Sequence, residues 1–243
     1  MKYHIDTIPV WDAFHEKSEC PICILKKKSE ESYVDSFLGG SVMEPATRVE
    51  VNKKGFCGHH NKLLYKAQKR LSLALMTHTY TMETIETMKK PMKKLNQATG
   101  QKRLSIRPKN DELSEFVNWI ENKTKQCVIC DRINQALDRY AYTITYMWSH
   151  EDNFRKEFNE SKGFCLPHMG QMLDMSSKEL RGSKQQDFVK ELIELQRKNL
   201  DRLEEEIKWF TLKFDYKNQD KPWGNSKDAL PRLLQKLTGD YME

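Results

Sequence analysis

Six cysteines and two of the seven histidines form a repeated pattern that can carry metal chemistry. The pattern is a Cys-x2-Cys pair and a later Gly-Phe-Cys-x2-His segment, and it occurs twice in the same order. Between the second cysteine of the pair and the cysteine of the segment lie 33 residues in the first copy and 34 in the second. The residues that recur are Cys20, Cys23, Cys57, His60, Cys127, Cys130, Cys165 and His168. Thiolates and an imidazole in this three-to-one ratio are the ligands of a tetrahedral Cys₃His zinc site. The repeat therefore predicts two metal sites and uses every cysteine of the chain.

Each half of the pattern brings two ligands to the same point. A Cys-x2-Cys pair lies on one tight turn, and a Cys-x2-His pair at the start of a helix places both side chains on one face, since three residues are about one turn. The intervening helices of each copy are expected to join its two half-sites, so that Cys20 and Cys23 would share an ion with Cys57 and His60. We predict zinc in both sites, two ions per chain. An iron–sulfur cluster is the alternative, because three cysteines and a histidine can also hold one.

A competing hypothesis without metal treats each Cys-x2-Cys pair as a redox dithiol. It leaves the repeated Cys57/His60 and Cys165/His168 pairs without a role, which favours metal binding. In the first copy His59 and His60 are adjacent, and the first copy alone does not decide between them. The spacing from Cys165 to His168 in the second copy selects His60, and leaves His59 as a surface residue or a neighbour of the site.

The composition favours a water-soluble helical protein over a membrane protein. Of the 243 residues, 38% are hydrophobic and 31% are charged. No run approaches the roughly 18 apolar residues of a membrane span, and the first residues show no apolar segment of a secretory signal. We therefore expect a cytoplasmic protein, in which paired cysteines act as metal ligands or redox groups rather than as structural disulfides. The formal net charge of +6 is compatible with nucleic acid or a phosphorylated ligand but does not by itself indicate one.

Apolar residues recur at helical spacing through most of the chain, and no segment is convincing as a strand. After Cys130, for example, Ile133, Leu137, Tyr140 and Ile144 follow at steps of three or four residues. The second Cys-x2-Cys pair begins 107 residues after the first, which indicates a duplicated unit. We predict an all-α fold of two pseudo-symmetric helical units, each with a Cys₃His metal knuckle, plus a long C-terminal helix and a tail.

Four segments are predicted from these patterns. They are a first helical unit at 1–88, a basic linker at 89–109, a second helical unit at 110–182, and a C-terminal helix and tail at 183–243 that packs on both units. The linker has eight basic residues, no acidic residue, and Pro91, Gly100 and Pro108 as helix breakers. Such a run is typical of a solvated connector, and an anion or nucleic-acid contact is the alternative. Ser183 is expected to cap the long C-terminal helix, and Gly239 to end the last short one.

With these ligands identified, the chain resembles a family of bacterial, mainly Firmicutes and clostridial, proteins known as the domain of unknown function DUF6062. The resemblance extends over nearly the full length. It rests on His4 to Pro9, Cys20-Pro21-Ile22-Cys23, Asn52 with Gly55-Phe56-Cys57, Cys127-Val128-Ile129-Cys130, Gly163-Phe164-Cys165, Lys213-Phe214-Asp215-Tyr216 and Pro222-Trp223-Gly224. It implies no activity, because the family has none that can be carried over.

The function predicted from these observations is that of a zinc-binding helical protein with two structural sites and an interaction or ligand-binding role. Four protein ligands leave no open position for water, which argues against zinc hydrolysis, and the sequence contains no Walker, GxGxxG, HExxH or GxSxG motif. One alternative is an iron–sulfur or thiol-based redox or metal-dependent enzyme, and another is a nucleic-acid-binding protein. A protein partner or a small-molecule ligand fits the main hypothesis. Polar and aromatic residues near the termini, including Asp6, Asp215 and Trp223, could line a ligand site.

Overall fold

The computed structural model describes residues 3–100 and 111–241, and its fold is all-α, as predicted. Within those residues there are eleven α-helices, three short 3-10 helices and no strand. The α-helices are α1 (Tyr3–His15), α2 (Pro21–Leu38), α3 (Pro45–Lys54), α4 (Gly58–Lys66), α5 (Arg70–Gly100), α6 (Asp111–Lys125), α7 (Val128–His150), α8 (Asp152–Glu160), α9 (Leu166–Glu179), α10 (Gly182–Leu212) and α11 (Ala229–Thr238). The 3-10 helices are Gly40–Met43, Tyr216–Asn218 and Gly224–Ser226.

The chain divides into two compact units whose bounds differ from the four predicted segments. One unit, here called the outer unit, consists of residues 1–29 and 134–243, and the other, the inner unit, consists of residues 30–133. The inner unit is therefore a continuous piece of chain inserted into a discontinuous one. Helices α2 and α7 contribute residues to both units.

The core of the outer unit is aromatic. Phe14 from α1, Phe154 and Phe158 from α8, Phe164 from the Gly-Phe-Cys segment and Phe188 from α10 are all buried. Their rings meet edge to face or tilted, at centroid distances of 5.0 Å for Phe14 and Phe154 and 5.6 Å for Phe158 and Phe188. Such contacts add to the hydrophobic gain from burying the rings. This core fixes the Gly-Phe-Cys segment of the second copy beside α1.

The core of the inner unit is smaller. Its fully buried apolar side chains include Phe37, Val51, Leu64 and Met76 from α2 to α5, and Val128 and Ile129 from α7. Phe56, from the first Gly-Phe-Cys segment, packs edge to face on Phe37 with the centroids 5.5 Å apart. A unit with few buried apolar side chains gains relatively more from a metal crosslink.

Two predictions about the elements are corrected by the structure. The basic linker was expected to start at residue 89, but α5 continues to Gly100, with Pro91 inside the helix and buried. Residues 101–110 of the predicted linker lie outside the described residues. Helix α10 starts at Gly182 after Arg181, so Ser183 lies in its first turn and is not the cap. Gly239 does end α11, with a left-handed φ of 80°.

No helix in the described part of the chain is both long enough and apolar enough to cross a membrane. The longest helices of the described residues, α5 and α10, each have 31 residues and contain several charged side chains.

Candidate metal centres

All four ligand pairs lie at the starts of helices. Cys57 and Cys165 are the N-cap residues of α4 and α9, and α2 and α7 begin directly after Cys20 and Cys127. The second ligand of each pair follows three residues later, within the first turn. Unpaired N–H groups at a helix start carry partial positive charge, which favours the thiolate form of a cysteine placed there. The same local arrangement, a pair of ligands at the start of a helix, therefore occurs four times.

The glycine of each Gly-Phe-Cys segment sets the turn that presents the cysteine. Gly55 and Gly163 have positive φ angles of 65° and 72°, which residues other than glycine rarely adopt. A Cβ on Gly55 would lie 2.5 Å from Cζ of Tyr80, and one on Gly163 would lie 3.1 Å from Oε1 of Gln196. These glycines are therefore needed both for conformation and for close packing.

The first cluster, cluster A, consists of Cys20, Cys23, Cys165 and His168, and all four are buried. The Nδ1 atom of His168 lies 3.4 Å from the sulfur of Cys20, 3.4 Å from that of Cys23 and 3.1 Å from that of Cys165. The sulfurs of Cys23 and Cys165 are 3.6 Å apart. All four belong to the outer unit.

The second cluster, cluster B, consists of Cys57, His60, Cys127 and Cys130, all in the inner unit. The Nδ1 atom of His60 lies 3.2 Å, 3.3 Å and 3.4 Å from the sulfurs of Cys57, Cys127 and Cys130. The sulfurs of Cys57 and Cys130 are 3.8 Å apart. The backbone N–H of Val128 also donates to the carbonyl of Gly55 at 3.1 Å, which joins the two half-sites directly.

The prediction that each copy closes its own site is wrong, because the half-sites are exchanged between the copies. The Cys-x2-Cys pair of the first copy meets the Cys-x2-His pair of the second, and the reverse holds for cluster B. Helix lengths give the physical reason. Helix α2 has 18 residues and is about 27 Å long, whereas α3, the helix before the first Gly-Phe-Cys segment, has 10 residues and is about 15 Å long, too short to span the same distance. The corresponding rises of α7, with 23 residues, and α8, with 9, are about 34 and 14 Å.

Both clusters fit a single tetrahedral ion. Zinc–sulfur bonds of about 2.3 Å and a zinc–nitrogen bond of about 2.0–2.1 Å place two sulfurs about 3.8 Å apart, and a sulfur and a nitrogen about 3.6 Å apart. The sulfur–sulfur distances of 3.6 and 3.8 Å and sulfur–nitrogen distances of 3.1–3.4 Å are close to these edges. The four ligand atoms of each cluster lie within 4.8 Å of one another. All six cysteines are free of disulfides.

The protonation of cluster A without a metal is uneven. Burial raises the pKa of Cys20 to about 12, and the hydrogen bond to Cys165, with burial, raises the pKa of Cys23 well above its usual range. Hydrogen bonds from Cys20 and Cys23 hold the pKa of Cys165 far below that of an ordinary thiol. Of the three thiols, Cys165 therefore ionises most readily in the metal-free cluster. A divalent cation supplies the charge that lets all three ionise.

A buried lysine bridges the two half-sites of cluster A. Lys236 of α11 is fully buried, and its Nζ donates to the carbonyl of Glu19 at 2.9 Å and also to the carbonyl of Lys162. Glu19 precedes Cys20, and Lys162 precedes the second Gly-Phe-Cys segment, so Lys236 joins the two half-sites. Burial lowers the pKa of Lys236 to about 8, while Glu19 and Cys20 oppose this shift.

The charges around Lys236 form a network centred on Glu19, which is buried. Its carboxylate lies 2.6 Å from Arg202, 3.3 Å from Arg232 and 3.7 Å from Lys162. With Lys236 the network contains four basic groups. Its acidic members are three: Glu19, Glu206 and Asp228. The excess positive charge complements the net negative charge that three thiolates and one divalent ion would have.

Cluster B has an acidic neighbour, Glu30, whereas the neighbour of cluster A is the basic Lys236. Oε1 of Glu30 accepts from Nε2 of His60 at 3.0 Å and from Nε2 of His59 at 2.9 Å. A carboxylate on the second nitrogen of a histidine ligand fixes its tautomer and orientation. His59, which is 62% exposed at the side chain, therefore contacts the ligand's partner rather than the sulfurs. Neither Glu30, which lies in a charged stretch of α2, nor Lys236 has a local sequence pattern that marks it as a neighbour of a metal site.

The other predicted positions have separate partners. Asp6 is buried and lies 3.3 Å from Arg139, and the side chain of Asp215 accepts from the backbone of Lys217. Trp223 packs on Phe210, at a centroid distance of 5.7 Å. In the basic run, Lys89 pairs with Glu86, and Lys94 lies 2.6 Å from Glu115. These pairings reduce the positive field that the run offers to an anion.

The comparisons with known proteins identify a family but supply no activity. The sequence model of a family described as "Family of unknown function (DUF6062)" matches residues 1–243. An uncharacterized 23.9 kDa protein in the xynA 3′ region of Caldicellulosiruptor sp. (strain Rt8B.4) is 21% identical over 211 residues, covering 84% of this chain and 86% of the relative. No solved structure matches the chain.

Proposed function

Because the chain belongs to DUF6062, a family of unknown function, its role has to come from its own residues, and we propose that it is a zinc-binding protein with two structural sites. One zinc ion in cluster A would join α2 to α9, and one in cluster B would join α4 to α7. Each ion would hold together helix starts that are far apart in the sequence. The ions would thereby stabilise a surface for a protein partner or a small-molecule ligand.

The observation that carries the proposal is the tetrahedral spacing of three sulfurs and one nitrogen in both clusters. Four protein ligands satisfy zinc completely, and such closed sites are structural rather than hydrolytic. Burial of cluster A supports the same role, because three adjacent thiolates away from water are costly to desolvate unless a cation shares the site.

The same spacing favours a single ion over an iron–sulfur cluster. In a cluster the ligands bind different irons, so their ligand atoms lie further apart than the edges of one tetrahedron. All four ligand atoms of each cluster lie within 4.8 Å of one another, which suits four ligands that share one ion. We propose the cytoplasm as the location, because thiolate ligands require a compartment that keeps thiols reduced.

Metal analysis of protein purified anaerobically with a non-thiol, phosphine reductant tests the proposal. We expect about two zinc ions per chain and no visible absorption, and about one ion per chain in either Cys57→Ser or Cys165→Ser. A metal-free protein would refute the proposal. A brown protein with iron and sulfide would instead establish the iron–sulfur alternative and a redox role.

A further inference from the structure

The two clusters differ in their access to solvent. In cluster A the three cysteines and His168 are all buried, whereas in cluster B Cys57 and Cys130 are partly exposed. Cys127 and His60 form the buried side of cluster B. The two partly exposed residues are the pair whose sulfurs lie 3.8 Å apart, so the edge between Cys57 and Cys130 is the least buried side of cluster B.

Cluster A is covered by the C-terminal segment. The backbone of Gly239, at the end of α11, packs so closely that an added Cβ would lie 3.3 Å from the sulfur of Cys165 and 3.3 Å from Pro167. The sulfur of Cys23 lies 3.5 Å from the carbonyl of Gly239. Lys236 fills the space between the two half-sites with a buried ammonium group. A ligand from solution would have to displace α11 before it reached this ion.

We infer that cluster B is an exchangeable zinc site, which transfers its ion to and from thiolate or chelating ligands in solution, while cluster A keeps its ion. The inference rests on the proposed zinc binding. An incoming thiolate would form a bond to zinc at the exposed edge as the bond to Cys57 or Cys130 breaks, and the released thiolate would take a proton from water. Zinc remains divalent throughout, so the step needs no oxidant or reductant.

Glu30 has a positioning role in this exchange. Its carboxylate holds the ring of His60 through Nε2 while Nδ1 faces the three sulfurs. A hydrogen bond of this kind raises the basicity of the ligating nitrogen, and its loss typically weakens metal affinity about 10–100-fold. Glu30 therefore keeps the exposed site from losing zinc to water while leaving the sulfur edge open to a competing ligand.

Differential alkylation of the zinc-loaded wild-type chain distinguishes the clusters without mutation. The protein is mixed with excess EDTA and N-ethylmaleimide, and the modification of each cysteine is followed over time by peptide mass spectrometry. We expect Cys57, Cys127 and Cys130 to react at least about tenfold faster than Cys20, Cys23 and Cys165, a barrier difference of about 1.4 kcal/mol. Equal rates for all six cysteines, or faster reaction in cluster A, would overturn the inference.

Two variants test the role of Glu30. We expect Glu30→Gln to weaken zinc binding in cluster B about 10–100-fold, with cluster A unchanged, whereas Glu31→Gln, at the exposed neighbouring position, has no effect. An unchanged zinc affinity of cluster B in Glu30→Gln would show that Glu30 has no positioning role. The zinc content measured before chelation distinguishes a failure of the proposed function from a failure of the inferred exchange. A protein without zinc would refute the proposed function. Two bound ions that leave at the same rate would refute only the exchange.

Discussion

The glycine of the first Gly-Phe-Cys segment determines whether cluster B can form. In Gly55→Ala the alanine would have to adopt the left-handed backbone conformation of Gly55, and its methyl group would overlap the ring of Tyr80. We expect the zinc-loaded variant to lose about 1–3 kcal/mol of unfolding free energy, measured by chemical denaturation. Gly58→Ala is the matched control, because no atom lies within 4 Å of its added methyl group. Equal effects of the two substitutions would contradict this explanation.

The uneven protonation of cluster A predicts how its zinc affinity depends on pH. Without metal, Cys20 and Cys23 are thiols whose raised pKa values keep them protonated near neutral pH, so zinc must displace both protons. Between about pH 7 and 9 the apparent affinity should rise about a hundredfold per pH unit, and it should fall on acidification. Zinc titration against a competing chelator in Cys57→Ser, where only cluster A is intact, measures this slope. An affinity that does not change with pH would be inconsistent with protonated thiols.

Sequence reasoning identified the residue types of the sites but not their neighbours. Comparison of the two copies selected His60 over His59, and the structure places Nδ1 of His60 among the three sulfurs. Glu30 and Lys236 could not be found in this way, since a glutamate or lysine on a charged helix has no distinctive local pattern. Their roles arise from contacts between residues 30 positions apart, or, for Lys236 and Glu19, 217 positions apart.

At the level of the elements, the exchange of half-sites makes a direct prediction for paired variants. Cys23→Ser combined with Cys165→Ser should remove one zinc ion, because both residues belong to cluster A. Cys23→Ser combined with Cys57→Ser should remove both ions. Pairing within each copy would give the opposite results, so metal analysis of the two double variants decides between the arrangements.

The helices themselves were largely predictable, because their apolar periodicity and end signals are local. Helix α3 with Pro45 in its first turn and α11 with Gly239 at its end follow directly from such signals. The pairing of the half-sites was predicted wrongly, since spacing identifies ligands without saying which pairs meet. The lengths of α2 and α7 contained the missing signal: they are longer than α3 and α8, the helices that precede the Gly-Phe-Cys segments. Pro91 was interpreted as a breaker, but α5 continues through it.

For the whole molecule, each ion should stabilise the unit that contains its ligands. In Cys57→Ser we expect faster amide exchange in residues 30–133, and in Cys23→Ser faster exchange in residues 1–29 and 134–243, because each cluster lies within one unit. Hydrogen exchange followed by mass spectrometry measures both patterns. A loss of protection throughout the chain in either variant would show that the units do not respond separately.

The exchanged half-sites also have a consequence for the order of assembly during synthesis. The ligands Cys57 and Cys130 of cluster B are 73 positions apart, and this interval lies inside the 148 positions between Cys20 and His168. The longer closure costs only about 0.6 kcal/mol more in chain entropy, so timing matters more than equilibrium. Once His60 has been made, the ribosome needs roughly 5–20 s to reach His168. During that interval Cys20 and Cys23 can share an ion with Cys57 and His60, a non-native pairing that the growing chain must resolve before both native sites close.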